Sequence, residues 1–147
     1  MRIRRIVIGG AAAVVALVGV SFGAAGQAAA ASASFGTLRT LGSICIGGVN
    51  SYVWDIYNRS GVLGGQMTFD LWTPTFGQPC TVGVSVNWRN LDTGAAGTYS
   101  SVLTGNGSFG SPLSQQFELP SGPGRVALSL TTDRPNIPVA DTEIVVP

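Results

Sequence analysis

The stretch Cys80-Thr81-Val82-Gly83-Val84-Ser85-Val86-Asn87-Trp88-Arg89 alternates strictly between apolar residues and polar or small ones. Successive side chains of a β-strand point to opposite faces of the sheet, so this pattern predicts a strand with one buried and one solvent-facing side. Cys80, the valines and Trp88 share the buried phase. The stretch therefore predicts the central core strand of a β-domain, with Trp88 in the core.

Similar short runs, separated by Gly, Pro, Asn, Asp and Ser, follow one another along the chain, and no helical periodicity appears after the N-terminal segment. The predicted strands cover residues 35–46, 49–57, 66–72, 80–89, 98–104, 113–119, 124–131 and 139–146. The last strand is expected at a sheet edge, because prolines and acids accompany it, and residues 90–94 are expected to form a turn. These features predict an all-β fold, a small antiparallel β-sandwich of about 7–8 strands, immunoglobulin-like in the broad architectural sense.

The strand at 66–72 is predicted to form a hairpin with the central strand. The inward residues of 66–72 have odd numbers and those of 80–89 have even numbers. If inward residues face each other across the hairpin, the two residue numbers of every pair therefore add up to an odd number. A sum of 153 places Leu71 opposite Val82. Trp88 would then lie beside Gly65, where a large ring finds room.

The N-terminus has the composition of an export signal. Three arginines in the first five residues precede an apolar run from 6 to about 25, and small residues continue to Ala33. A-x-A type cleavage sites end at Ala30, Ala31 or Ala33 and predict a mature chain that begins between residues 31 and 34. We therefore assign 1–33 to a secretion signal peptide and 34–147 to a single domain of a secreted, bacterial protein, with no stable membrane insertion after cleavage. An uncleaved anchor is the alternative, since about twenty apolar residues can span a bilayer; the glycines and the alanine-rich end favour cleavage.

The charge of the predicted mature chain argues against nucleic acid as a partner. After residue 33 there are five arginines, no lysine and seven acidic residues, which leaves a net charge of −2. A protein that binds phosphate backbones needs a basic surface to neutralise them.

Cys45 and Cys80 are the two cysteines of the chain, and export to an oxidising compartment predicts a disulfide between them. The alternative, two free or metal-binding thiols, would make a poor metal site without histidine. One difficulty is that Cys45 faces outward if Ile44 and Ile46 face the core, whereas the phase of Cys80 is inward. A bulge at Gly42 or a bridge at a strand end would each resolve this, and we favour the strand end.

The order Cys45, Trp54, Cys80 is similar to the Cys…Trp…Cys order of immunoglobulin domains. Only 34 residues separate the cysteines, however, and no tyrosine lies two positions before Cys80, so the sequence indicates a generic sandwich and no functional residue is carried over. Both phases of the strand at 49–57 contain apolar residues, and a core position is favoured for Trp54.

The chain has no histidine and, after residue 33, no lysine, which excludes Ser-His-Asp, Cys-His and Ser-Lys nucleophile systems and the usual zinc sites. Catalysis by paired carboxylates remains chemically open. Asp55 and Asp70 are the acids within the early strands, and both are interpreted as surface charges. We therefore predict no catalytic residue, no metal site, no cofactor and no enzymatic activity.

The candidate binding surface consists of Trp72, Phe76 and Asp70. Trp72 shares the outward phase of its strand with Asp70, and an exposed tryptophan beside polar residues can stack on a sugar or anchor a protein. Alternatively, the strand ends at Leu71 and the indole caps the core. The leading hypothesis is a secreted, non-catalytic module that binds an extracellular polysaccharide, a cell-wall component or a protein. The alternatives are a small hydrolase inhibitor that uses residues 73–79, and a structural, envelope-associated protein.

Overall fold

The structure, a computed structural model, describes residues 31–41, 45–73, 80–105 and 112–147, and within these ranges all regular structure is β-strand. The strands are β1 (Ser32–Leu41), β2 (Ile46–Asp55), β3 (Leu63–Trp72), β4 (Cys80–Asn90), β5 (Ala96–Gly105), β6 (Leu113–Leu119), β7 (Gly124–Thr132), β8 (Asn136–Ile137) and β9 (Thr142–Val146). All eight predicted strands are found. The strand at 113–119 has the predicted bounds, the others have shifted ends, and the first ends at Leu41 instead of continuing to residue 46. The two-residue β8 is too short to give a periodicity signal.

The strands form two antiparallel sheets that enclose one core. The five-stranded sheet has the order β6-β3-β2-β1-β8, and the four-stranded sheet has the order β5-β4-β7-β9. The predicted small β-sandwich is thereby confirmed. β4 lies inside its sheet, between β5 and β7, while β9 pairs with β7 and is an edge strand, as its prolines and acids predicted.

The predicted hairpin between β3 and β4 is wrong. β3 pairs with β2 and β6 in one sheet, whereas β4 pairs with β5 and β7 in the other. The apolar residues of both strands belong to the same core cluster, so they line it from opposite sheets. Alternation shows which side of a strand faces the core, but it does not distinguish a neighbour in the same sheet from one across the sandwich.

The valines of β4 are buried as predicted, each at most 1% exposed. Trp88 departs from the prediction, because it is only partly buried and packs at the margin of the core. It lies over Gly97 of β5, its direct partner across the strand pair, and a Cβ on Gly97 would come within 2.6 Å of the indole Cζ2. Gly65, the expected neighbour, lies in the other sheet and is covered by Phe117.

The predicted disulfide joins Cys45 to Cys80, with a Cα–Cα distance of 5.0 Å. Cys45 immediately precedes β2 and Cys80 begins β4, so the bridge links the two sheets. Both cysteines lie at strand ends, as favoured from the sequence, but the expected conflict of phase does not arise. Cys45 is buried in phase with Val49, and Ile46, which was expected to face the core, is 38% exposed. Gly42 lies outside the described residues. A register shift does occur earlier in β1, between Ser34 and Thr37, where Gly36 has a φ of 77°.

The predicted turn after β4 is organised by Asn90, which is fully buried. Its Oδ1 accepts hydrogen bonds from the backbone N–H groups of Asp92 and Thr93, both at 3.0 Å. Its Nδ2 donates to the carbonyl oxygens of Ser121 (3.0 Å) and Pro123 (2.8 Å). One amide thus ties the β4–β5 turn to the segment that leads into β7.

Asp92, on the same turn, contacts Arg125 at the start of β7. One carboxylate oxygen accepts the Arg125 backbone N–H at 2.8 Å, and the other lies 3.2 Å from Arg125 Nε. The backbone hydrogen bond is the largest cause of a lowered pKa for the Asp92 carboxyl; slight desolvation opposes it, and the guanidinium adds to it. Since the folded pKa lies below the unfolded one, about 3.9, this contribution to stability exists at higher pH and is lost as the pH falls through the folded pKa.

Asp92→Asn is accordingly expected to lower the Tm modestly at neutral pH, because the amide keeps an acceptor but loses the charge. The difference from the unsubstituted protein should shrink as the pH falls from neutral to about pH 2, because the part of the Asp92 contribution that depends on its charge is lost as the folded carboxyl becomes protonated. Thermal melts followed by circular dichroism at both pH values measure this, with Asp141→Asn as an exposed control. A Tm difference that does not depend on pH would contradict the assignment.

Residues 1–30 lie outside the described residues, so the signal peptide stays a prediction. β1 begins at Ser32, and Ala31 O accepts a hydrogen bond from Asp55 N at 3.0 Å. Of the cleavage positions predicted from the sequence, those after Ala30 and Ala31 therefore leave β1 whole. In the described ranges we find no helix of sufficient length and apolar character to cross a membrane.

Candidate functional site

The outward side chains of the five-stranded sheet form rows that run across its strands. Direct pairing brings residues of β1, β2, β3 and β6 side by side on one surface. The rows consist of Ser32, Trp54, Gly64 and Glu118; of Ser34, Tyr52, Gln66 and Gln116; and of Thr37, Asn50, Thr68 and Ser114. We call these twelve residues the outer face.

Two aromatic rings lie together on the outer face. The centroids of Tyr52 and Trp54 are 5.2 Å apart, with 33° between the ring planes. Tyr52 is 42% exposed, while Trp54 is partly buried. A Cβ on Gly64, the β3 partner of Trp54, would come within 2.9 Å of the indole, so the glycine allows the ring to lie close to the backbone of β3. The pair therefore offers apolar ring surface beside an otherwise polar sheet.

Neutral hydrogen-bonding groups surround the ring pair. Tyr52 Oη donates to Gln66 Oε1 at 2.5 Å, and Thr37 Oγ1 donates to Asn50 Oδ1 at 2.5 Å. These bonds hold the side chains in fixed positions while the remaining amide and hydroxyl groups stay accessible to a ligand. The one ionised side chain of the outer face, Glu118 at its margin, is paired with Arg59 at 2.5 Å.

The sequence-predicted residues fall at the other end of the same sheet. β3 continues through Trp72, which lies opposite Ile46 in the outward phase and is partly exposed. Asp70 points to the same side, opposite Gly48. Phe76 lies outside the described residues, as do residues 74–79 of the loop considered for hydrolase inhibition. Ile46 and Trp54 are eight residues apart, which corresponds to about 26 Å along β2.

The core position favoured for Trp54 is wrong. Val49 and Val53 are fully buried, and Trp54 has the opposite phase, so it points away from the core. Periodicity could not decide this, because both sides of β2 carry apolar residues. A usable signal was present in Gly64-Gly65 of the neighbouring strand, since a glycine leaves room for a ring that lies flat on the sheet.

The outer surface of the four-stranded sheet has a different character. Its outward side chains are mostly Ser, Thr and Asn, with no aromatic ring among those described. A shallow groove of about 410 Å³ runs past Ser85, Ser100 and Thr131 to Asp133. Asp133 Oδ1 accepts the Gly83 N–H at 2.9 Å, so this carboxylate is used in holding the end of β7.

The two carboxylates considered for catalysis are far apart. Asp55 ends β2 in the inward phase, opposite the buried Leu63, whereas Asp70 points outward near the other end of β3. They do not form the pair of facing carboxyl groups that glycoside hydrolysis requires. In the part of the chain that the structure describes, no three or more His, Cys, Asp or Glu residues are grouped so that they could hold a metal ion.

Comparisons with protein-family models, with curated proteins and with solved structures give no match to this chain.

Proposed function

We propose that this chain is an exported, non-catalytic binding protein that holds an extended, uncharged polysaccharide on its outer face. The observation that carries the proposal is the Tyr52–Trp54 ring pair, set flat on the sheet and bordered by rows of neutral amides and hydroxyls. The Cys45–Cys80 disulfide is of the kind that persists in oxidising compartments, which supports an extracellular location.

The chemistry of this surface matches that of a sugar chain. A pyranose ring presents C–H groups on its faces, which pack against aromatic rings, and hydroxyls at its edge, which exchange hydrogen bonds with amides. Gln66, Gln116 and Asn50 lie in the rows beside the rings and provide both donors and acceptors. The surface is open rather than enclosed, which suits a long polymer better than a small molecule that needs a deep pocket.

The charge distribution favours a neutral polymer. The rows that contain Tyr52 and Asn50 have no ionised side chain. Arg59 is paired with Glu118 at one margin, and Arg39 and Asp70, of opposite charge, lie in the row beyond Thr37 at the other. A surface of this kind has little to offer a nucleic acid or a strongly anionic glycan, whose affinity depends on cation contacts.

Tyr52→Ala is expected to weaken polysaccharide binding by about tenfold, because it removes one stacking surface and the hydroxyl held by Gln66. Affinity electrophoresis in gels that contain soluble polysaccharides, together with pull-down on insoluble ones, measures the loss. Tyr57→Ala is the matched control, since Tyr57 is 87% exposed in the turn after β2 and is not one of the twelve residues of the outer face. Trp54→Ala should behave like Tyr52→Ala, and Trp72→Ala should weaken the binding of long chains more than that of short ones.

Two results would overturn the proposal. One is that the unsubstituted protein is retained by no polysaccharide of the panel. The other is that Tyr57→Ala reduces retention as much as Tyr52→Ala does, since this would show a general effect of lost aromatic surface. Melting curves of each variant establish that reduced retention does not come from unfolding.

A further inference from the structure

We propose that the edge strand β5 pairs with β5 of a second copy of this chain, so that two four-stranded sheets join into one continuous antiparallel sheet. The proposal concerns a surface that the polysaccharide site does not use, and it stands independently of that site.

Among the described residues, β5 is a long edge strand that lacks the usual protective features. It runs for ten residues, Ala96–Gly105, pairs with β4 on one side, and contains neither a charged residue nor a proline. All five of its outward side chains are exposed, and Val102 among them is 66% exposed. Exposed strands of this length and composition present a row of free backbone N–H and C=O groups, which readily pair with another strand.

The other three edges that the structure describes carry protective features. β8 has two residues and lies between Pro135 and Pro138. β9 contains Glu143 and ends next to Pro147, and β6 lies between Pro112 and Pro120. Short length, prolines and charges are the usual means by which proteins block edge pairing, and β5 has none of them.

The strand is also compatible with two-fold symmetry. Residues directly opposite each other in an antiparallel pair point to the same side of the sheet. An outward residue of one copy must therefore face an outward residue of the other, so the two residue numbers of each pair add up to an even number. The centre of β5 lies between Ser100 and Ser101. The two most complete pairings therefore place Ser100 opposite Ser100 of the second copy, or Ser101 opposite Ser101. Small hydroxyl side chains at the axis let the backbones approach without a steric or electrostatic penalty.

The proposed dimer presents both of its outer faces on the same side. The two-fold axis of such a pair is perpendicular to the sheet, so both outer faces point to the same side of the dimer. If the proposed function holds, two sites can bind one polysaccharide surface at the same time and gain avidity without a new contact.

Sedimentation equilibrium of the disulfide-bonded protein over the micromolar to millimolar range tests the dimer without any ligand. Val102→Lys places two like charges near the axis and is expected to weaken dimerisation by about tenfold, because symmetry applies each change twice. Val145→Lys is the matched control, since Val145 is 62% exposed on β9, at the opposite edge of the same sheet. It should leave the dimer unchanged.

The proposal is overturned if the protein is monomeric throughout this range, or if Val145→Lys weakens the dimer as much as Val102→Lys. Thr98→Lys, on the same side of β5, is a second variant for the case in which Val102→Lys does not fold. Circular dichroism establishes that each lysine variant keeps its β-structure.

Discussion

Gly65→Ala is expected to lower the free energy of unfolding by about 3 kcal/mol, at the upper end of the usual cost of overpacking a core. A methyl group at this position would overlap three atoms of the Phe117 ring, of which the most distant is at 2.7 Å. Phe117 is buried and stacks on Tyr99 of the opposite sheet, with centroids 4.9 Å apart, so a shift of the ring would disturb this packing. The ring and the glycine together close the core between β5 and β6.

Urea denaturation followed by tryptophan fluorescence measures this loss, and a double-mutant cycle identifies its cause. Phe117→Leu alone should destabilise, because it removes ring packing, but in the Gly65→Ala background it should restore part of the stability by relieving the overlap. Gly48→Ala is the control, since its new methyl group lies on the outward side of β2 and comes within 3.0 Å only of the Thr37 methyl. If the double variant is no more stable than Gly65→Ala, steric overlap with Phe117 is not the cause.

Asn90→Asp should also cost about 3 kcal/mol at neutral pH. The carboxylate keeps the two acceptor contacts but replaces the amide donor with an oxygen that faces the carbonyls of Ser121 and Pro123. A buried polar group without a partner costs about 1–3 kcal/mol, and a charged one costs more. Asn90→Ala is expected to lose a similar amount at every pH, because it removes all four hydrogen bonds.

The pH dependence distinguishes the two variants of Asn90. Burial and the two facing carbonyls raise the pKa of the introduced carboxyl in the folded state above its unfolded value of about 3.9. The charge penalty is therefore absent below the unfolded pKa, grows as the pH rises from the unfolded to the folded pKa, and stays constant above the folded pKa. Asn87→Asp, which faces outward on the same strand, should stay within about 0.5 kcal/mol of the unsubstituted protein. Equal losses for Asn87→Asp and Asn90→Asp would contradict the assigned role of Asn90.

The candidate site could be predicted only in part. The outward phase of Trp72 and Asp70 followed from the regular alternation of β3, because one phase of that strand is clearly apolar. The positions of Tyr52 and Trp54 did not follow, because both phases of β2 contain large apolar residues. Which side of β2 is buried depends on the other sheet, whose valines pack against one side only.

The local pattern of residues was sufficient to identify the strands, the turn at residues 90–94, the disulfide and the sandwich class. The strands and the turn depend on the two-residue period of a strand and on turn chemistry, both of which are readable within a short segment. The disulfide was predicted from the two cysteines together with the predicted export signal. Sheet membership required the fold as a whole. β3 and β4 are consecutive and have matching alternation, yet they lie in different sheets, because a buried side chain is equally well covered by a neighbouring strand or by the opposite sheet. The same ambiguity left the ring pair of the outer face undetected, since its place on the surface is decided by the sheet that covers the other side of β2.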